Sequence, residues 1–201
     1  MSYIAIEGVI GAGKTTLAKK LADLRGSNLL LERYEENPFL SDFYQNRAKN
    51  AFPVEMFFLA DRVKHLQQFF NSGYLFSQET IADFGFFKSF LFAKINLEEA
   101  EFKLYKEFYD LVENKVPQPD KVMFVYRSLE NLKKNIRFRG RAYEQLIDDS
   151  YLKELQDIYM SFLKHAYKGK LLLINADDLN FLNGLEDVLK VNDILEQRGL
   201  D

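Results

Sequence analysis

Gly8-Val9-Ile10-Gly11-Ala12-Gly13-Lys14-Thr15 is the stretch on which the reading of this chain turns. It is a glycine, four residues, then Gly-Lys-Thr, a pattern that chance gives in about 4 × 10⁻⁵ of windows. Before it, Tyr3-Ile4-Ala5-Ile6-Glu7 reads as a short buried strand ended by Gly8. After it, Lys14 to Arg25 is rich in helix formers, with Leu17, Leu21 and Leu24 on one face and Gly26 as a stop. A strand before and a helix after is the setting such a loop needs. Glycine lets the backbone curl so that several N–H groups converge on phosphate oxygens, and the helix start adds its positive end. The expected triphosphate-binding set is Gly8, Val9, Ile10, Gly11, Ala12, Gly13, Lys14, Thr15 and Thr16. Lys14 is expected to reach the β- and γ-phosphates of a nucleoside triphosphate, and the Thr15 hydroxyl to bind Mg²⁺.

Working outward, short apolar runs alternate with helical stretches. Asn28 to Glu32 is a second strand, and Pro38 opens a helical stretch through Tyr44. Phe52 to Phe70 is a long amphipathic helix starting around Pro53, broken by Gly73. Tyr74 to Ala82 holds a third strand. Glu98 to Glu113 is a helix with Phe102, Tyr105, Phe108, Tyr109 and Val112 on one stripe, ended by Pro117 and Pro119. Lys121 to Tyr126 is a fourth strand, Leu129 to Arg137 a helix followed by a basic turn, and Tyr151 to Tyr167 a further helix. Lys170 to Ile174 is a fifth strand, and Leu185 to Arg198 closes the chain as a helix. Strands joined by helical crossovers imply an α/β fold, a three-layer sandwich with a five-stranded parallel sheet flanked by helices. Residues 1–201 carry no repeat or linker, so one domain is expected.

Composition narrows the classes. The chain has 201 residues, 47% hydrophobic and 28% charged, which suits a packed core and excludes disorder. Lys+Arg is 27 against Asp+Glu 30, a net charge of −3, which speaks against a nucleic-acid partner. There is no cysteine, which removes disulfides and thiol nucleophiles and fits a reducing cytoplasm. No apolar run approaches the ~20 residues that span a bilayer, so no membrane association is expected. Met1-Ser2-Tyr3 lacks the basic start of a signal peptide.

Three constellations point to an acceptor. Glu32 ends the second strand, near the crevice where α/β sheets bind ligands; there it either takes the proton of an attacking hydroxyl or solvates the strand end. Arg137, Arg139 and Arg141 stand at alternate positions, with Glu144 three residues on. Steps of two do not align on a helix, so they suggest a lid whose guanidinium groups close over phosphates. Glu55 lies on the long helix within about 40° of the apolar Leu59 and Leu66, with Arg62 within about 20°. A carboxylate on that face needs a partner. Either Arg62 pairs with it, or Glu55, Arg62 and nearby aromatics frame a base pocket.

Taken together, the chain resembles the bacterial deoxynucleoside kinase family, in its deoxyadenosine/deoxyguanosine kinase branch. The likeness rests on Gly8 to Thr15, on Glu32 with Glu36-Asn37-Pro38-Phe39-Leu40 and Phe43-Tyr44, on Phe52 to Leu59, and on Arg137 to Glu144. It implies the P-loop kinase fold with a short lid at about 137–148. It further implies transfer of the ATP γ-phosphoryl group to the 5′-hydroxyl of a deoxynucleoside, in nucleotide salvage. By the resemblance, Glu32 is the general base, Tyr44 and Glu144 hold the 3′-hydroxyl, and Arg137, Arg139 and Arg141 form the lid. The family is usually dimeric, so a homodimer is expected. Glu55 falls where many members carry Gln. An ionised Glu suits the donors of guanine and a protonated one suits adenine, hence a purine preference. Two departures stand out: Arg33 follows Glu32 where members often have Pro, and Asp83-Phe84-Gly85 replaces an acidic-Arg-Ser triplet. Asp83 is expected to assist Mg²⁺ or the 5′ end, while the phosphate contact of the missing Arg falls to Lys88, Arg33 or the lid. The competing readings are a thymidylate-kinase-like monophosphate kinase and a non-catalytic nucleotide-binding module.

Overall fold

Ile4, Ala5 and Ile6, like Val122 to Val125, are buried on both faces of their strands, the signature of strands covered by helices above and below. A computed structural model of the chain describes residues 2–72 and 79–197. β1 (Ser2–Glu7) lies at the centre of a five-stranded sheet of order β2-β3-β1-β4-β5, every neighbouring pair parallel. β2 is Asn28–Leu30, β3 Glu79–Ala82, β4 Lys121–Tyr126 and β5 Lys170–Asn175. Ile4 sits opposite Ile81 on one side, and Ala5 opposite Val122 on the other. The edge strand β5 alternates instead, Leu172 and Ile174 in and Leu173 out.

The helices are α1 (Lys14–Arg25), α2 (Leu40–Gln45), α3 (Arg47–Asn71), α4 (Lys88–Asn96), α5 (Glu99–Glu113), α6 (Leu129–Arg139), α7 (Asp149–His165) and α8 (Leu185–Gln197). α1 packs against α8 and the β1–β3 strands, while α4 packs against α3, α5 and α7. The three-layer α/β expectation holds.

Several boundaries differ. α3 starts at Arg47, six residues before Pro53, because Asn46 caps it, its side chain accepting from Lys49 N. Pro53 therefore sits inside the helix, a cost of about 3 kcal/mol that burial of Ala51, Val54, Leu59 and Leu66 offsets. α4 was not expected. β2 ends at Leu30, so Glu32 lies beyond the strand. Of the third strand, residues 74–78 lie outside the described residues, as does Arg198. Leu24 and Phe108 do not join the buried stripes; both are exposed.

Candidate active site

The sheet reverses its winding around β1, and four strand ends deliver polar side chains there: Glu7 at the end of β1, Glu32 after β2, Asp83 after β3 and Arg127 after β4. Of these, Glu32 and Asp83 line an open crevice of about 730 Å³, while Glu7 and Arg127 lie behind its wall.

The loop after β1 is shaped by glycine. Gly11 has φ +87°, and a Cβ there would meet the Leu132 carbonyl oxygen at 2.7 Å. Gly13 (φ +95°) leads into α1. Lys14 folds back, its Nζ donating to the carbonyls of Gly8 (2.9 Å) and Val9 (3.2 Å). Burial and the Lys88 ammonium lower the pKa of Lys14 to about 8, against the pull of Glu7, Glu32 and Asp83. Arg127 braces the loop from outside, donating to the carbonyls of Ala12, Ala176 and Leu179. Ile10, Gly11, Lys14 and Thr15 line the crevice; Gly8, Val9, Ala12, Gly13 and Thr16 do not.

Asp83 ties two strand ends together. Its Oδ2 accepts from Thr15 Oγ1 at 2.5 Å and its Oδ1 from Glu32 N at 2.8 Å. Burial and the Glu32 charge raise its pKa.

Glu32 stands at the middle of the crevice. Its Oε1 accepts from Arg62 Nε (2.9 Å) and Nη2 (2.6 Å), and its Oε2 from Lys88 Nζ (2.5 Å). Burial alone would raise its pKa, but Lys88 and Arg62 outweigh burial and hold it at about 2. Of the two readings of Glu55, its pairing with Arg62 does not form. Seven residues of helix separate the two by about 10 Å of axis, and Arg62 turns to Glu32 and to Ser89 Oγ. Arg33 is taken by Asp61 (2.6 Å) and Glu36 (3.7 Å), so of the candidates for the missing Arg it is Lys88 that reaches the acidic centre.

Glu55 lies at the far end with Val54, Phe58, Phe92 and Tyr151. Its Oε1 accepts from Asn96 Nδ2 at 2.7 Å, and its Oε2 is buried without a partner. Burial, partly opposed by Asn96, Arg62 and Lys88, raises its pKa to about 7.

The lid region corrects the sequence reading. α6 runs through Arg139, so Arg137 and Arg139 are helical, and Gly140 (φ +70°) ends the helix before Arg141. Arg139 and Arg141 converge on buried Glu144, which bonds Arg139 Nη2 and Arg141 Nη1. Arg141 also bonds the Tyr34 hydroxyl and covers that ring at 3.9 Å. Tyr44 stacks on Tyr143 (5.7 Å, 12°), laying the turn Ala142–Leu146 on α2. Tyr44, Glu144, Arg139 and Arg141 line the crevice; Arg137 is exposed and does not.

Three site residues escaped the sequence reading. Glu7, fully buried, accepts from Gly85 N (2.6 Å) and Tyr159 OH (2.9 Å), holding the turn that carries Asp83 and Lys88; burial raises its pKa. Its signal was a carboxylate closing an apolar strand directly before the loop. Tyr34 carries no sequence signal beyond an aromatic after Glu32. Asn96 closes an apolar helix as its one neutral polar group facing Glu55.

The family model for deoxynucleoside kinase matches residues 4–197. The chain belongs to the deoxynucleoside kinase family. The kinase is an ATP-dependent phosphotransferase with a deoxynucleoside acceptor. It is 34% identical over 193 residues to a deoxyguanosine kinase of Bacillus subtilis (strain 168), covering 94% of this chain and 93% of the relative. A deoxyadenosine/deoxycytidine kinase of the same organism is 28% identical over 200 residues, 98% of this chain and 91% of the relative. Among solved structures, deoxyadenosine kinase from M. mycoides with bound dATP superimposes on the kinase with a TM-score of 0.83 at 26% identity, covering 96% of this chain and 99% of that one.

Proposed function

We propose that the kinase moves the γ-phosphoryl group of ATP to the 5′-hydroxyl of a purine deoxynucleoside, deoxyguanosine or deoxyadenosine, in nucleotide salvage. The observation that carries this reading is Glu32, set in one crevice between the Lys14–Thr15 loop and the Glu55 end. The loop amides and Lys14 cradle the triphosphate. The sugar lies between Glu32 and the Tyr44–Glu144 pair, its 5′-hydroxyl donating to a Glu32 oxygen. Lys88 and Arg62 orient that carboxylate, and Arg139 and Arg141 leave Glu144 to meet charge on the transferred group. Arg137, outside the crevice, would join only if the lid moves inward. The base rests among Phe58, Phe92 and Tyr151, with Glu55 at its edge.

Thr15 Oγ1 and Asp83 are already in contact, an oxygen pair suited to Mg²⁺, which takes one or two protein ligands and otherwise water and phosphate oxygens. No cluster of three acidic, His or Cys ligands exists among the described residues, in keeping with a metal shared with the nucleotide. When bound, the ion would neutralise phosphate charge.

A monophosphate kinase is disfavoured because its acceptor phosphate needs free cations, whereas Lys88 and Arg62 are spent on Glu32. Leu104, Phe108 and Leu111 form an exposed apolar stripe on α5, the support for a homodimer. No helix among the described residues is long and apolar enough to cross a membrane, and the lack of cysteine suits the cytoplasm we assign.

The test is a panel of the four deoxynucleosides with ATP and Mg²⁺, reading 5′-monophosphates. Deoxyguanosine and deoxyadenosine are expected to dominate; a strong thymidine preference would refute the purine reading. Light scattering of the same preparation should give twice the chain mass, and the single mass would remove the dimer.

A further inference from the structure

Two polar atoms at the base end have no partner, the Tyr151 hydroxyl and Oε2 of Glu55, a residue 1% exposed and lining the crevice. The other carboxylate oxygen is held. Asn96 Nδ2 donates to Oε1 at 2.7 Å, while Asn96 Oδ1 accepts from Arg47 Nη2 at 3.2 Å. The Arg47 guanidinium lies 3.7 Å from the centroid of Tyr151. Arg47 can only donate, so it fixes the amide with oxygen toward itself and nitrogen toward Glu55. Glu55 is thus oriented by a neutral group rather than by an ion pair.

The charged groups around it are otherwise engaged. Arg62 on α3 and Lys88 on α4 face Glu55, but both bond Glu32, whose own charge opposes ionisation of Glu55. The remaining titratable groups facing it are Tyr44 on α2, Tyr105 on α5 and Tyr151 on α7. Burial pushes all three phenols up, so they stay neutral near pH 7.

We propose that Asn96, set by Arg47, holds Glu55 as a proton-dependent purine selector. Ionised, Oε2 accepts from N1–H of guanine; protonated, it donates to N1 of adenine. The proposal rests on the purine reading above and goes further, making the preferred base depend on pH. Burial brings the Glu55 pKa to about 7, so both forms are accessible under neutral conditions. The ionised fraction grows with pH, so deoxyguanosine gains on deoxyadenosine as pH rises.

The measurement is kcat/KM for each purine deoxynucleoside from about pH 6 to 8.5, taken as a ratio. Titrations shared by both reactions, such as those of Lys14 and ATP, cancel in it. The deoxyguanosine-to-deoxyadenosine ratio should climb with a slope approaching about tenfold per pH unit, the limit for one linked proton. Glu55→Gln, nearly isosteric, should flatten it. Asn96→Leu removes the donor that favours the ionised form, and should move the change to higher pH. A readout without substrate comes from thermal melts. The Glu55 pKa is raised on folding from 4.5 to about 7, so its stabilising effect is full below 4.5 and lost as pH rises through 7. In Glu55→Gln that loss should vanish. A constant ratio in the parent enzyme, or a slope that survives in Glu55→Gln, would overturn the selector and leave the purine kinase standing. If neither purine is phosphorylated at any pH while a pyrimidine is, selector and purine reading fall together.

Discussion

Glu32→Gln lowers turnover of the deoxynucleoside by about 10²–10⁴-fold, the usual contribution of a positioned base, while ATP still binds. The amide keeps the shape and one acceptor oxygen but does not take the 5′-hydroxyl proton. A carboxylate held at about 2 is a weak base. That suits phosphoryl transfer, in which a loose transition state releases the proton late and the main need is an oriented, charged acceptor. The change has a second consequence. Arg62 and Lys88, 3% and 7% exposed, lose their counter-charge, and removing one member of such a buried pair costs on the order of 3–5 kcal/mol. A lower melting temperature is therefore expected, and assays belong well below it. The pH signature follows: the Glu32 pKa falls on folding from 4.5 to about 2, so its stabilisation is present above 4.5 and lost as pH drops toward 2. The variant should lack that acid limb. Near-normal turnover in a folded variant would make Glu32 only the counter-ion of Arg62 and Lys88.

The second large effect is at the triphosphate end. In Lys14→Ala, kcat/KM for ATP is expected to fall by about 10²–10³-fold, the cost of removing one preorganised electrostatic donor. Deoxynucleoside affinity, measured by calorimetry without ATP, should hold, because Lys14 bonds only to the loop carbonyls of Gly8 and Val9. Lys14→Met keeps the buried stem and guards against a packing artefact. Equal loss of both affinities in a folded Lys14→Met protein would contradict the division of the crevice into two ends.

The sequence disclosed those parts of the molecule whose signals are local. The β1 strand, its glycine loop and α1 could be bounded closely because an apolar run, positive-φ glycines and a helical face follow one another within 25 residues. α4 stayed hidden because it is short and its buried positions, Lys88, Ser89, Leu91 and Ala93, mix polar with apolar residues, so no apolar face stands out for periodicity to find. Pro53 masked the true start of α3, since proline usually opens a helix and the Asn46 cap lies seven residues earlier. In the lid, the alternate spacing of three arginines hid a helix end at Gly140, which separates Arg139 from Arg141. Glu32, Glu55 and Asp83 were legible as acids needing a purpose. Thr15 and Asp83 were both expected at Mg²⁺ and do meet, but Arg62 and Asn96 were not legible as the partners of Glu32 and Glu55, which they reach across 30 and 41 residues of chain. Helical projection sees only neighbours on one helix, and so it could offer Arg62 to Glu55 but not to Glu32.

The central claim is that the crevice sets the ATP γ-phosphate opposite the sugar's 5′-hydroxyl, beside Glu32. It is tested most directly by ADP release with ATP, Mg²⁺ and either 2′-deoxyguanosine or its 5′-deoxy analogue. The account predicts ADP with the nucleoside, only the acceptor-free rate with the analogue, and competitive inhibition by the analogue. Undiminished ADP release with the analogue would place the acceptor on another hydroxyl and contradict it.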